Sequence, residues 1–194
     1  MARSLSLVSR VISRVIPAVA LGAVVAASGC GGGGAPEGPS VLFDACAPLA
    51  VVADPNATAD EIAGITAGLA LWDGAAGTKL SLGTAAGTDP DAGTSGGPDA
   101  SAAAPPALPI HFQIAADPFH GLYDAPNGQI YLNTDLTGHP LAVTVAHEIG
   151  HAFGLVHIPP DQRASLMNAG NLTVEPTPAD VQTLQARWGS CTGN

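Results

Sequence analysis

The stretch that decides the fold is residues 147–157, with the sequence HEIGHAFGLVH, which follows the pattern H-E-x-x-H-x-x-G-x-x-H. Two histidines four residues apart on a helix lie on one face, about one turn apart. His147 and His151 can therefore reach a single metal ion. His157 is the predicted third ligand. Three protein ligands leave tetrahedral zinc one open position, as a catalytic site requires.

Two other residues of this stretch have predicted roles. His157 can return to the metal only if the chain turns sharply, and Gly154 can end the helix in the left-handed conformation without a Cβ penalty. Glu148 is not expected to bind the metal, and we interpret it as the general base for the water that the metal activates. An isolated pair of histidines would more often be structural, but the full pattern indicates a zinc site.

The motif resembles that of the metzincin clan of zinc endopeptidases, in which a methionine in a tight turn follows the third histidine. Residues 165–168, with the sequence SLMN, resemble this Met-turn. The resemblance implies that Met167 packs as an apolar floor beneath the metal ligands. The alternative is that Met167 only fills the core.

Within the clan, residues 108–189 are most similar to the matrixins, because the last segment resembles their C-terminal helix, which ends in an aromatic residue and a glycine. In this segment Thr177 is a predicted N-cap, Pro178 the first helical residue and Gly189 the stop. Two departures concern the zinc motif: Ile158 stands where matrixins carry serine, and no tyrosine that could bind the metal follows the Met-turn. No cysteine-switch propeptide is visible either, so the subfamily and the latency mechanism stay open.

The resemblance implies an α+β zincin fold, with a twisted mixed sheet, an active-site helix, a Met-turn and a C-terminal helix. The residues themselves predict a first helix that begins at Thr58, forms a capping box with Glu61 and ends at Gly74. Residues 126–128, Pro-Asn-Gly, are typical of a hairpin turn. The predicted strands cover residues 48–53, 79–82, 110–114, 121–123 and 129–132.

The segment at about residues 119–124 has a predicted role in substrate binding. In the zinc-protease fold, an edge strand upstream of the metal helix pairs with extended substrate by backbone hydrogen bonds. Relatives also carry structural zinc or calcium nearby. Asp117, His120 and Asp124 could contribute to such an accessory site, but their spacing does not require one. The cofactor prediction is therefore one catalytic zinc ion, chosen from the ligand type.

The first 29 residues have the features of a secretory signal. Arg3, Arg10 and Arg14 precede an apolar run over residues 15–27, and small residues follow it. The end of this run resembles a bacterial lipobox, which implies lipidation at Cys30 and attachment to the membrane. A plain signal peptide is the alternative. Either reading predicts an exported protein, lipid-anchored at the cell envelope or secreted.

The predicted mature chain consists of a Gly/Pro-rich tether over residues 30–45 and a catalytic domain over residues 46–194. Residues 83–107 are rich in Gly, Ala, Ser, Thr, Pro and Asp and are predicted to form a disordered insertion. Cys46 and Cys191 are an even pair in an oxidising compartment, so we expect a disulfide between them. The alternative for Cys46 is a zinc-blocking thiol in a latency segment.

The charge of the chain limits its partners. Loss of the signal leaves three cations against sixteen acids, a net charge of about −13. So few cations cannot neutralise a nucleic-acid backbone, so nucleic acid is excluded as a partner. The expected partner is a protein or peptide substrate, and the chain is expected to be a monomer.

These observations predict a zinc-dependent endopeptidase. Two alternatives remain at this point. The first is a cell-surface binding module that keeps the zinc scaffold without turnover, against which the intact Glu148 argues. The second is a metal-dependent hydrolase that acts on a non-protein amide. The sequence does not indicate a cleavage preference.

Overall fold

The structure is a computed structural model that describes residues 40–83 and 106–191. Within these ranges the chain folds as an α+β protein with a mixed five-stranded sheet and three helices, which confirms the predicted class. In chain order the elements are β1 Pro48–Ala53, α1 Ala59–Ala76, β2 Lys79–Gly83, β3 Ala107–Gln113, β4 Gly121–Asp124, β5 Gln129–Asn133, α2 Gly138–Ala152 and α3 Pro178–Trp188.

The sheet has the strand order β2-β1-β3-β5-β4. Its first three pairings are parallel, whereas β4 runs antiparallel to β5 and ends the sheet. Alternate apolar side chains of the three central strands are buried, as expected for a sheet with one face against helices. These side chains are Leu49 and Val51 in β1, Leu108 and Ile110 in β3, and Ile130 and Leu132 in β5.

Helix α1 begins as predicted and ends later than predicted. The Thr58 N–H donates to Glu61 Oε2 at 2.7 Å and the Glu61 N–H donates to Thr58 Oγ1 at 3.3 Å, which completes the capping box. The helix passes through Gly74, the predicted end, and stops at Gly77, whose φ of 67° is left-handed. The prediction was wrong because a glycine inside a helix costs only about 1 kcal/mol, which packing outweighs.

Two glycines let α1 approach α2, the helix that carries the first two predicted metal ligands. A Cβ added at Gly64 would lie 2.3 Å from Leu141 Cδ2, and one at Gly68 would lie 2.8 Å from the Ala142 carbonyl oxygen. Further along the interface, Trp72 is fully buried and its Nε1–H donates to a backbone carbonyl of α2 at 2.8 Å. Small residues therefore set the distance between the two helices.

Replacement of Gly68 by alanine is expected to destabilise the protein. The added methyl group would collide with the Ala142 carbonyl oxygen, a backbone atom that cannot move without shifting α2. Overpacking of this kind costs about 1–3 kcal/mol. Gly74→Ala is the matched control in the same helix, because no atom lies within 4 Å of its added Cβ. Chemical denaturation should show a loss for Gly68→Ala and no loss for Gly74→Ala; equal stabilities would contradict this packing.

The folded region begins within the predicted tether of residues 30–45. Phe43 is buried, and its N–H donates to the Ala152 carbonyl at the end of α2 over 3.0 Å. The Val41 N–H donates to the Ala125 carbonyl over 2.7 Å. The tether prediction was therefore too long at its C-terminal end, because apolar side chains after residue 40 pack onto the domain.

The disulfide between Cys46 and Cys191 is present and joins Cα atoms 4.7 Å apart across 145 residues of chain. In the chain-entropy treatment, closing so long a loop stabilises the folded state by about 4–5 kcal/mol. The bond ties the segment before β1 to the end of α3. A zinc-blocking role for Cys46 is excluded while this bond is intact.

Several predicted segments lie outside the described residues. They are the signal over residues 1–29, the lipidation site Cys30 and most of the insertion predicted over residues 83–107. The two outermost residues of that insertion are described, and Gly83 lies in β2 and Ala107 in β3, so both predicted boundaries were one residue too wide. None of the helices that the structure describes has the length and apolar character needed to cross a membrane.

Candidate metal centre

Three imidazole nitrogens converge at the C-terminal end of α2. Nε2 of His151 lies 3.1 Å from Nε2 of both His147 and His157, and the remaining pair is 3.2 Å apart. Nitrogens bound about 2.0–2.1 Å from one tetrahedral ion would lie about 3.3 Å from each other. The three predicted ligands are therefore brought together at a separation that suits one shared metal ion. They form the one such group within residues 40–83 and 106–191.

Backbone carbonyls set the tautomer of two of the ligands. His147 Nδ1 lies 2.7 Å from the Leu166 oxygen and His151 Nδ1 lies 2.9 Å from the Leu155 oxygen. A carbonyl only accepts hydrogen bonds, so each Nδ1 carries the proton and each Nε2 of the neutral ring presents a lone pair. Two lone pairs 3.1 Å apart repel each other unless a cation lies between them. This donor set therefore fits a divalent metal.

The environment keeps the three histidines neutral at physiological pH. Burial lowers the pKa of His147 to about 4 and, assisted by the neighbouring His147, that of His151 to about 3. The hydrogen bonds to the Leu166 and Leu155 carbonyls oppose the effect only partly. Burial also lowers the pKa of the more exposed His157. Neutral imidazole is the form that binds metal.

A sharp turn after α2 returns His157 to the centre. The helix ends at Ala152, and Gly154 has a φ of 85°, as predicted for the glycine of the motif. The Leu155 N–H then donates back to the Gly150 carbonyl at 2.9 Å. A Cβ added at position 154 would lie 2.7 Å from Cζ of Arg187 on α3, so a side chain there would also displace this guanidinium group.

Met167 packs against α2 between two of the ligands. It is 1% exposed, and its Sδ would lie 2.6 Å from a Cβ added at Gly150. Its carbonyl accepts the Ile158 N–H at 2.9 Å, directly after the third ligand His157. The turn that contains Met167 therefore contacts both the helix and the segment that provide the ligands.

Asp180 on α3 holds this turn in place. The sequence did not identify it as a functional residue. Its carboxylate, 1% exposed, accepts from the Ser165 hydroxyl at 2.5 Å, from the Leu166 N–H at 3.0 Å and from Arg163 at 3.1 Å. The carbonyl of the same residue, Leu166, accepts from His147 Nδ1. The sequence showed Asp180 only as the third residue of a helix, where an acid is usually a surface cap, so no signal pointed to the metal.

The predicted general base, Glu148, is buried beside the ligands without joining them. It is 2% exposed and is not a member of the metal-binding group. Burial raises its pKa to about 8, and a hydrogen bond from the Tyr123 backbone N–H offsets part of this effect. Its Oε1 lies 2.9 Å from the position of a Cβ at Gly121, so the carboxylate contacts the edge strand β4.

No accessory metal site forms among the described residues that were candidates for one. Asp117, His120 and Asp124 do not gather into a group that could hold an ion. Two other histidines lie near acids instead: His111 Nδ1 is 3.7 Å from Asp54 Oδ2, and His139 Nδ1 is 3.9 Å from Glu175 Oε1. His120 instead lines a small cavity beside the metal centre.

Comparison with models of known protein families gave no match, and a search of curated proteins gave none either.

Zinc affinity is expected to fall most steeply below about pH 6. A proton competes with the metal for each Nε2, and pKa values below the ordinary 6.5 leave the histidines unprotonated until the solution is more acidic. Chelator competition should show a loss of at most about tenfold per pH unit between about pH 8 and 6, from the one proton that Glu148 releases when zinc binds, and a steeper loss toward pH 4 as the histidines are protonated. A synthetic peptide of residues 147–157 is the control, since its solvated histidines should lose affinity already between pH 7 and 6. Parallel curves would contradict the buried site.

Asp180→Asn is expected to weaken both the fold and the metal site. The amide accepts fewer hydrogen bonds and leaves Arg163 without its buried partner, at a cost of about 3 kcal/mol. Looser positioning of Leu166 and His147 should reduce zinc affinity about 10- to 100-fold. Asp60→Asn, at an exposed residue of α1, is the control.

The stability difference between wild type and Asp180→Asn should itself depend on pH. Burial raises the pKa of Asp180, but hydrogen bonds from Ser165, Thr177 and Leu166 outweigh it and hold the pKa below 3.8. A carboxyl group whose pKa is lower in the folded than in the unfolded protein stabilises the fold at pH values above the unfolded-state pKa. This contribution is lost as the pH falls through the folded-state pKa. Denaturation at pH 7 and pH 3 should therefore show a smaller difference at pH 3; an equal difference would refute the charged network.

Proposed function

We propose that this protein is a zinc-dependent endopeptidase with a metzincin-type, matrixin-like site. The observation that carries the proposal is the convergence of three Nε2 atoms, two of which present a lone pair, with Glu148 buried next to the first of them. The left-handed turn at Gly154 and the packing of Met167 against α2 support the same assignment. Zinc is the preferred metal because imidazole nitrogens in a three-ligand set suit it.

Glu148 is the proton carrier of the proposed reaction. When bound, zinc supplies the Lewis acidity that activates water and polarises the scissile carbonyl. Glu148 accepts a proton from the attacking water and donates it to the leaving amine as the C–N bond breaks. A carboxyl pKa raised by burial suits this exchange near neutral pH, and a nearby cation favours the ionised form that accepts the proton.

The substrate is proposed to lie along β4. This strand pairs with β5 on one side and ends the sheet, so an extended peptide can add to its outer edge through backbone hydrogen bonds. The Tyr123 N–H of β4 donates to the carboxylate of Glu148, the proposed general base, which supports a substrate position along this strand. The predicted segment 119–124 contains the whole strand.

The disulfide supports an exported location, because such bonds persist in oxidising compartments. We propose that the chain acts as a monomer outside the cytoplasm, anchored through Cys30 if that residue is lipidated. An idle binding module is the second candidate. Such a module would keep the metal ligands but would not need a buried carboxylate next to them, and burial of a carboxyl group is costly.

Glu148→Gln is expected to abolish proteolysis while zinc stays bound. Glutamine has nearly the same shape, so the ligands keep their positions, but its amide cannot accept a proton from water. Zinc content by mass spectrometry should be unchanged, and cleavage of fluorescent casein by the full-length protein should fall at least about a thousandfold. Glu175→Gln, at an exposed residue near His139, is the matched control and should retain full activity.

Three results would contradict the proposal. Pure protein that takes up no zinc, wild type that binds zinc and cleaves neither casein nor peptides, or Glu148→Gln with undiminished turnover would each be incompatible with it. Zinc-bound protein that cleaves only non-peptide amides would instead indicate a metal-dependent hydrolase of non-protein amides. A chelator should stop cleavage of each of these substrates, and added zinc should restore it.

A further inference from the structure

Two inward-facing positions of β4 lie against the helix that carries Glu148. Side chains alternate along a strand, and in β4 Gly121 and Tyr123 are buried whereas Leu122 between them is 37% exposed. A glycine inside a strand contributes no side chain to the packing and often marks a place where another group comes close to the backbone. The space that a side chain of residue 121 would fill is therefore available to a neighbouring group.

The side chains of Thr144 and Glu148 fill this space. They lie four residues apart on α2 and so share the helix face that meets β4. A Cβ added at Gly121 would lie 2.8 Å from Thr144 Cγ2, 2.9 Å from Glu148 Oε1 and 3.1 Å from Glu148 Cγ. Ordinary contacts of a Cβ begin at 3.4 Å, so any residue except glycine would overlap both side chains.

Both neighbours are held in their positions. The Thr144 hydroxyl donates to the Pro140 carbonyl at 2.9 Å, so the Thr144 methyl group cannot turn away from β4 without loss of this bond. The Tyr123 N–H donates to the Glu148 carboxylate. Tyr123 is itself fixed, because it is buried and its hydroxyl donates to the Val41 carbonyl. The β4 backbone therefore binds the carboxylate at one residue and leaves room for it two residues earlier.

We propose that Gly121 is a positioning residue for the reaction of Glu148, because the carboxylate lies where any other residue at position 121 would place its Cβ. To reach an ordinary contact distance from such a Cβ, Oε1 would have to move by about 0.5 Å, which equals the tolerance within which a reacting group must be held. This inference rests on the proposed endopeptidase function, in which Glu148 carries the proton.

The Glu148 carboxylate is the group that would move. Gly121 pairs with Leu132 of β5, so a shift of β4 would disturb the sheet. The end of a glutamate side chain can instead rotate about its own bonds. Gly121→Ala is therefore expected to displace the proposed proton carrier and to leave the fold and the three histidines in place.

Kinetics of full-length, zinc-loaded Gly121→Ala test the proposal. With a fluorogenic peptide taken from a casein cleavage site, kcat should fall about 10- to 100-fold, since misplacement by about 1 Å costs about 100-fold. KM, zinc content and the midpoint of thermal unfolding should stay close to those of the wild type. A crystal structure of the variant should show Glu148 Oε1 moved away from residue 121, which is a readout independent of turnover.

A second change separates the two contacts of the added methyl group. Thr144→Ser removes Cγ2 and keeps the hydroxyl that donates to the Pro140 carbonyl. Gly121→Ala/Thr144→Ser therefore relieves the contact with residue 144 and retains the contact with Glu148 Oε1. The double variant should recover any stability that Gly121→Ala loses, whereas its kcat should stay 10- to 100-fold below that of Thr144→Ser, about the loss expected of a displaced group. It also tests the proposal if Gly121→Ala alone does not fold.

Gly83→Ala is the matched control. Gly83 lies in β2, the edge strand at the other side of the sheet. A Cβ added there would lie 3.1 and 3.3 Å from side-chain atoms of Ala50 and Val52, so it has a similarly close packing contact but none with the metal centre. This variant should leave kcat unchanged.

The outcomes distinguish this inference from the function on which it rests. Folded Gly121→Ala with the kcat of the wild type, recovery of kcat in the double variant, or a loss of zinc that parallels the loss of kcat would overturn the role of Gly121 while the wild type still cleaves casein. Zinc-bound wild type that cleaves neither casein nor peptides would overturn the proposed function. The crystal structure of Gly121→Ala would then still decide whether residue 121 sets the position of Glu148.

Discussion

The hydrogen bond between His147 Nδ1 and the Leu166 carbonyl connects the two halves of the site. His147 lies on α2, which packs against the sheet and α1, whereas Leu166 lies in the turn that Asp180 holds on α3. Burial of the ring disfavours its charged form, and the carbonyl selects the tautomer that presents Nε2 to the metal. The position of one ligand therefore depends on a residue more than thirty positions away.

The need to hold the three histidines in fixed positions also explains why small residues recur around α2. Its first half contacts α1 through Gly64 and Gly68, its last turn contacts Met167 through Gly150, and Gly154 meets Arg187 of α3. At Gly68, where an added Cβ would meet the Ala142 carbonyl oxygen, a bulkier residue would push α1 away from α2. Because the ligands lie within 3.2 Å of each other, even a small displacement would exceed the tolerance of a metal site.

Much of the site could be predicted from the sequence because its signals are local. Two ligands share a helix face, the turn at Gly154 follows from its lack of a Cβ, and the capping boxes lie within four residues. Asp180 could not be found in this way. Its environment arises from chain segments that meet only in the folded state, and an aspartate near a helix start is ordinarily an exposed cap. The end of α1 was missed for the same reason, since packing overrode the glycine at position 74.

The burial of Glu148 is difficult to explain by stability alone. An acid that is 2% exposed, with a pKa of about 8, opposes folding at neutral pH because the unfolded chain would ionise it. The backbone hydrogen bond from Tyr123 offsets only part of this cost. A nearby divalent cation would favour the ionised carboxylate and recover more of it. The buried carboxylate is thus unfavourable without a cation beside it, so metal binding at this candidate site would also stabilise the fold.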